Sequence, residues 1–296
     1  MRARSVFGLA LAAGLAFAAP VAAAPHAVYV GTYVWHDDSP LFGGLSALDL
    51  GEDGVTFVTV SDSAAIFAGK FTRNAVGVVT AVDTDAPFVP LSHHGTPIKP
   101  PMDDAEGISF MPDGGLAISY ETQDRIGIYA KGGRTYVTEL WSDALRRFES
   151  NYGTEALAVD AHGTIFTMPE KPLIPDGNFP IYRYKNATWD QPFDLVRKGS
   201  WRPVGADFGP DGRLYILERD YWGLIGFMNR VRRLTLEGDS IAADEVLLQT
   251  RAGVHDNLEG LAVWQDAAGT TRLTMISDDN FLPTQKTEIV DYRIEE

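Results

Sequence analysis

Cysteine is absent from the 296 residues. That excludes disulfides, thiolate-type structural zinc, iron–sulfur clusters and thiol catalysis. Basic residues are scarce: 25 Lys and Arg stand against 40 Asp and Glu, a formal net charge of −15. So acidic a surface speaks against nucleic acid, because binding there requires cations that displace counterions. It speaks equally against anionic membranes, and against polyanionic substrates unless a metal intervenes. The phosphate-loop and dinucleotide fingerprints are missing, and no HExxH metal spacing occurs. Gly44-Leu45-Ser46-Ala47-Leu48 lacks the final glycine of a serine-nucleophile elbow. The remainder is an ordinary globular composition, 45% hydrophobic and 22% charged.

Long apolar runs are also scarce, and the first one reads as an address. Arg2 and Arg4 precede an uncharged stretch from Val6 to Ala19, followed by Pro20 and the small residues Val21 to Ala24. This is the pattern of a Sec-type secretory signal peptide over residues 1–24, cut after Ala23. The run is too short to span a bilayer comfortably, and no later stretch is long and apolar enough to do so. A periplasmic or secreted monomer without stable membrane insertion is therefore expected. Loss of Arg2 and Arg4 takes the 25 basic residues to 23 against 40 acidic ones, and the net charge from −15 to −17. Asn186-Ala187-Thr188 matches a glycosylation sequon, a short and weak signal.

The body, residues 25–296, is one module repeated. Each unit has a short apolar run, a turn with Gly, a second apolar run and an acidic stop. Units enter at Gly43, Glu106, Glu155, Val204 and Glu259, in steps of 63, 49, 49 and 55 residues. Their stops are Ser61-Asp62, Glu121, Glu170, Glu218 and Ser277-Asp278-Asp279. Asp53-Gly54, Asp113-Gly114 and Asp211-Gly212 are hairpin dipeptides. Two further strands follow in most units, and four strands per roughly 50 residues is a β-propeller blade. The expected fold is all-β, a single propeller of four-stranded blades. Five blades are counted, and a sixth hidden in the 43-to-106 unit stays open. The last unit lacks a fourth strand, which Ala27–Trp35 can supply beside Glu288–Ile294, closing the ring and hiding two sheet edges. Ser142–Ser150 reads as one short capped helix.

In each blade, strand one starts and strand two ends at the same mouth of the central channel. Glu106, Glu155 and Glu259 should therefore meet Asp62, Glu121, Glu170, Glu218, Asp278 and Asp279 there. Carboxylates this close raise one another's pKa and call for a cation. A flexible ring of hard oxygens suits calcium, with Glu106, Glu155, Glu259, Asp62, Asp278 and Asp279 as candidate ligands. The competing reading is that each acid caps backbone N–H groups and ties neighbouring blades together. Arg125, Lys171 and Arg219 stand just past the stops and could hold an anionic ligand, or pair with the adjacent acids. His36, His93, His94 and His255 precede first strands, which puts them on the acidic face. Candidates for catalysis are Glu106, Glu155, Glu218, Arg219 and His255. The apolar loop Tyr221–Phe227 should lie over the mouth.

Several stretches resemble the phytase-like β-propeller proteins of bacteria, the family called esterase-like activity of phytase. They are Gly43–Asp49 with Ser61-Asp62, Asp104–Ile108, Thr154–Ala158, Leu217–Asp220 with Asn229-Arg230-Val231, Asp256–Ala262 and Ser277–Phe281. Together they span nearly the whole body in order. The resemblance implies an exported propeller that hydrolyses phosphate or other esters, though it brings no catalytic set that maps residue by residue. Val204 stands where three units have Glu, and Ala156 stands where glycine is expected, which argues against a symmetric metal ring. Two other readings stay open. One is a non-catalytic propeller of the cell envelope that binds a ligand or protein. The other is a lactonase-type propeller with one calcium in its channel. Few basic residues on the rim count against phytate itself.

Overall fold

The structure, a computed structural model, describes residues 24–148 and 152–296. The leader expected at residues 1–24 lies, but for Ala24, outside the described residues. Five four-stranded antiparallel sheets form the five blades. Blade 1 is β2 (Leu45–Leu50), β3 (Thr56–Ser61), β4 (Ile66–Arg73) and β5 (Val79–Thr84). Blade 2 is β6 (Ala105–Phe110), β7 (Leu116–Tyr120), β8 (Arg125–Tyr129) and β9 (Tyr136–Leu140). Blade 3 is β10 (Thr154–Val159), β11 (Ile165–Pro169), β12 (Phe179–Lys185) and β13 (Thr188–Leu195). Blade 4 is β14 (Arg202–Phe208), β15 (Leu214–Tyr221), β16 (Phe227–Glu237) and β17 (Ser240–Gln249). Blade 5 joins β18 (Asn257–Gln265), β19 (Thr271–Asp278) and β20 (Glu288–Glu295) to the N-terminal β1 (His26–Val34).

The ring closes as the missing strand requires. β1 pairs antiparallel with β20, from His26 opposite Glu295 to Val34 opposite Glu288. Two edges that would otherwise recruit other chains are thus paired with each other. The longer first unit holds no sixth blade. Its extra length is the connector between blades 1 and 2, residues 85–104, held by isolated bridges Ile66–Phe88 and Leu91–Pro97. Ser142–Ser150 contributes only a 3₁₀ turn at Leu145–Arg147 with no side-chain cap, and its last two residues lie outside the described ones.

The core sits in the wedges between blades. One cluster, for example, joins Leu217 and Val231 of blade 4 to Leu258, Leu261 and Met275 of blade 5. Another joins Ala158 and Phe166 of blade 3 to Ile216 and Leu234 of blade 4. The inner strands β2, β6, β10, β14 and β18 contact one another in sequence and line the channel. This packing fixes which inner-strand residues can face the bore.

Candidate functional site

Every inner strand carries the same irregularity. Its register against strand two slips by one residue, between Leu45 and Ala47, Ala105 and Gly107, Thr154 and Ala156, Pro203 and Gly205, and Leu258 and Gly260. The unpaired residues are Ser46, Glu106, Glu155, Val204 and Glu259. A bulge of this kind re-aims its side chain, and bulges concentrate at barrel rims and sites. Glu106, Glu155 and Glu259 accordingly line one small void of about 10 Å³ in the channel, with Leu48, Ile108, Leu157 and Leu261 beside them. The three glutamates expected to converge do so.

Around this void the carboxylates crowd. One oxygen from each of Asp104, Glu106 and Glu121 lies within 4.8 Å of the other two. Glu106 is hydrogen-bonded to Glu155, and burial, then the charges of Glu259, Glu121 and Asp104, hold its pKa well above the usual range. Burial, then Glu106, Glu121, Glu170 and Glu259, do the same to Glu155. Glu121 is pushed up to about 8 by burial, with Asp104, Asp124 and Glu170 adding to it. Asp278 rises to about 7, chiefly from burial and next from Glu259. Asp62 rises to about 6, from burial and then from Asp278 and Asp104. A hydrogen bond between two carboxyl groups requires that one of them carry the proton.

One side of the ring supplies its own cation. Arg219 of β15 donates to Glu259, to Glu170 at 3.0 Å and to the Asn257 side chain at 2.7 Å. Burial alone would lower its pKa, but Glu259, Glu170 and Glu155 more than reverse that. Arg202 adds a second contact to Glu170 at 3.4 Å. Asp104, Glu106 and Glu121 have no ion pair among the described residues. The neighbouring-blade clasp is present too: Glu121 accepts from Gly153 N at 2.7 Å, and Asp124 from Thr154 N at 3.0 Å. Asp279 is committed similarly, accepting from Gly44 N at 2.9 Å and Phe281 N at 3.0 Å.

Other expected site residues lie apart from the void. Glu218 is fully buried in the wedge towards blade 3, held by Arg230 and Arg232, with Asp244 on the far side of Arg232. Successive strand residues face opposite sides, so Arg219 enters the mouth and Glu218 does not. His255 is buried with Nε2 2.7 Å from the Tyr292 hydroxyl, and burial lowers its pKa. Arg125 is buried over the Tyr120 ring, donating to Glu139 at 3.2 Å and to the Met102 carbonyl at 2.7 Å. Lys171 sits on the Tyr152 ring. His93 and His94 lie against each other at a tilt, beside Tyr136. That end of β9 adjoins the hairpin turn opposite the mouth, so these two histidines depart from the acidic face. The long connector carries them down the side of the blades.

Asp104 was not singled out from the sequence, although it stands two residues before the bulged Glu106. Asp49 and Asp207 were also missed. Each lies three residues past its bulge and accepts a backbone N–H from the next blade: Phe110 N at 2.7 Å and Val263 N at 2.6 Å. Burial lifts Asp49 to about 6, and burial and then the Asp49 charge lift Asp207 well above its usual range.

The sequence profile described as "Phytase-like: Esterase-like activity of phytase" matches residues 40–281. The chain belongs to the phytase-like family. No curated protein matches this phytase-like chain in sequence. Among solved structures it is similar to a protein of unknown function from Dyadobacter fermentans, at 13% identity and TM-score 0.47, over 83% of this chain and 74% of that one. It is similar to a glucose dehydrogenase at 11% identity and TM-score 0.46, over 89% and 99%. It is also similar to a catalytically inactive virginiamycin B lyase from Staphylococcus aureus with quinupristin, at 12% identity and TM-score 0.44, over 90% and 87%. Likenesses this remote carry no argument about chemistry.

Proposed function

We propose that this phytase-like propeller is an exported, metal-assisted hydrolase of phosphate or other esters, with calcium as the metal and the channel mouth as the site. One observation carries the reading: Asp104, Glu106 and Glu121 bring three carboxylate oxygens together, with no ion pair to any of them among the described residues. The donor set fits calcium, being hard oxygen only, with none of the thiolate or imidazole that favours zinc or copper. Such an ion, when bound, supplies Lewis acidity towards a phosphoryl or carbonyl oxygen. Arg219, already bonded to Glu259, Glu170 and Asn257, would orient an anionic group only through its remaining N–H donors. Glu155, hydrogen-bonded to Glu106 and raised in pKa by burial, would act as a base towards water only in its ionised form, which a bound ion favours. Export rests on the residue pattern of 1–24, and N-terminal sequencing of the protein outside the cytoplasm tests it.

The narrow void favours a second reading, a binding propeller. At about 10 Å³ it admits one ion or one water and no substrate, so substrate would have to meet the ion at the rim. The experiment that separates the readings has two arms. Melting is followed with calcium, with magnesium at equal ionic strength, and with chelator, for the wild type and for Glu106→Gln with Asp104→Asn. Calcium at a hundredfold excess over Kd should add about 2.7 kcal/mol, a rise of roughly 5 °C in this size class. The double variant should lose the response, and equal responses to both metals would remove the metal site. Phosphate monoester, carboxyl ester and lactone substrates form the second arm. Calcium binding without turnover of any of them leaves the binding propeller, and lactone turnover alone supports the lactonase-type reading.

A further inference from the structure

Among the described residues, exposed apolar side chains rim the mouth from blade 3, with Leu173 and Ile174, round to blades 4 and 5. The β15–β16 connector presents Tyr221 and Trp222 and ends in a 3₁₀ turn whose Leu224 is 108% exposed and Ile225 64%. The connector before β18 adds Val254, and the β19–β20 connector adds Phe281 and Leu282, all more than half exposed. By topology all three connectors emerge on the acidic face, from blades 4 and 5. The loop backbone, the Trp222 indole and the Phe281 ring are held in place. The Trp222 indole N–H donates to Asp220 at 2.9 Å, and Trp222 N donates to Gly226 O at 2.9 Å. Gly253 N donates to Phe227 O at 3.0 Å, tying the β17–β18 connector to this loop. Phe281 lies over Gly43 and Gly44, close enough that a Cβ on Gly44 would come within 2.6 Å of its ring. Gly44 adopts a left-handed φ of +59°, so this seat is built for glycine.

Exposed apolar patches of this kind mark a binding surface. The charge around the patch restricts what can cover it. A second copy would bring two strongly acidic mouths together, and an anionic bilayer would be repelled in the same way. Arg219, the cation of the mouth, lies two residues before Tyr221 and close to the Phe227 ring, with its guanidinium carbon 5.8 Å from the ring centre. The apolar side chains therefore begin where an anionic group would be held.

We infer that the substrate is amphiphilic: a small anionic headgroup at the mouth, esterified to an apolar chain or ring that lies on the Tyr221–Ile225 loop and its neighbours Val254 and Phe281. This inference rests on the hydrolase reading, because the headgroup is the group placed at the metal. Substrate specificity then comes from the loop and the chemistry from the carboxylates.

The test uses two non-hydrolysable probes, methylphosphonate and octylphosphonate, titrated with calcium present and read by tryptophan fluorescence and calorimetry. Octylphosphonate should bind at least about tenfold tighter, since several methylenes leave water on the loop. In Leu224→Ser with Ile225→Ser that advantage should shrink to less than about threefold. Both side chains are outside the core, so the melting temperature should hold. Methylphosphonate binding with no gain from the octyl chain overturns this inference and leaves the hydrolase reading intact. Binding of neither probe overturns both. A dimer in sedimentation that the double variant abolishes assigns the patch to a second copy. Flotation of the wild type, but not the variant, with phosphatidylcholine vesicles assigns it to a lipid surface. Either result overturns the inference.

Discussion

In the presence of chelator, this protein should become less stable as pH rises from 5 to 8, the reverse of ordinary acid denaturation. The groups responsible are the carboxyls of the mouth. Glu121 is raised from 4.5 to about 8 and Asp278 from 3.8 to about 7, mainly by burial, and Glu106 and Glu155 are also raised well above the usual range. When the chain unfolds these groups return to ordinary values and release their protons near pH 4. Between about pH 4 and 8 the native state thus holds protons that the unfolded state lacks, and stability must fall with pH. At about 1.4 kcal/mol per pH unit, Glu121 alone, raised to about 8, corresponds to about 4 kcal/mol between pH 5 and 8. The carboxyls repel one another and share protons, so the contributions do not add, and one carboxyl's worth is the scale to expect. At roughly 2 °C per kcal/mol for a domain this large, the midpoint should drop by about 8 °C across the window. Asp244 moves the other way: burial pushes it up, but its bonds to Arg232 and Lys198 more than reverse this, and it titrates below the window. The assay is thermal melting at fixed ionic strength from pH 5 to 8 with chelator. A midpoint that is flat or rises with pH would refute the crowding argument. Glu106→Gln should flatten the slope and raise the midpoint at pH 8.

Two further outcomes follow from the packing. Glu218→Ala strands Arg230 and Arg232 in a dry wedge, and breaking a buried pair costs about 3–5 kcal/mol, so the midpoint should fall by roughly 6–10 °C. Loss of turnover without loss of stability in that variant would instead place Glu218 in the chemistry. Deleting residues 26–34 unpairs the edge of β20 and should produce concentration-dependent aggregation, visible by light scattering. A monodisperse deletion variant with an unchanged midpoint would contradict the role given to β1.

The blades were legible because their signals are local. Asp-Gly turns, runs of alternating apolar residues and the spacing of Glu106, Glu155 and Glu259 are all written within a few residues of one another. The convergence of those three glutamates was also legible, since a shared position in a repeat becomes a shared position around an axis. The bulge that aims them was not, because a register slip depends on the partner strand. The side of a strand that a residue faces was missed for the same reason. Glu218 and Arg219 are adjacent in sequence, yet one enters the wedge towards blade 3 and the other the mouth. His93 and His94 were misplaced because a long connector with turns of its own has no periodicity to read. Asp49 and Asp207 look like ordinary strand-end acids until the neighbouring blade supplies the N–H groups they accept.

The departures from the repeat explain why the ring is not symmetric. Of its five bulged residues, three are glutamates, and blade 4 contributes Val204 instead. The same blade sends Arg219 from its second strand across to Glu259 and Glu170. Where one acid is given up, a base is thus supplied. A fully acidic ring would need several cations to be tolerable, and a ring with every acid paired would need none. This one pairs Glu170 and Glu259 from within and leaves Asp104, Glu106 and Glu121 of blade 2, with Glu155, Asp278 and Asp62, without an ion pair among the described residues. The imbalance is local and of one sign, and it lies deep enough that solvent screens it poorly. The charge is therefore uneven around the axis: Arg219 serves Glu259 and Glu170, while Asp104, Glu106 and Glu121 meet without an ion pair among the described residues.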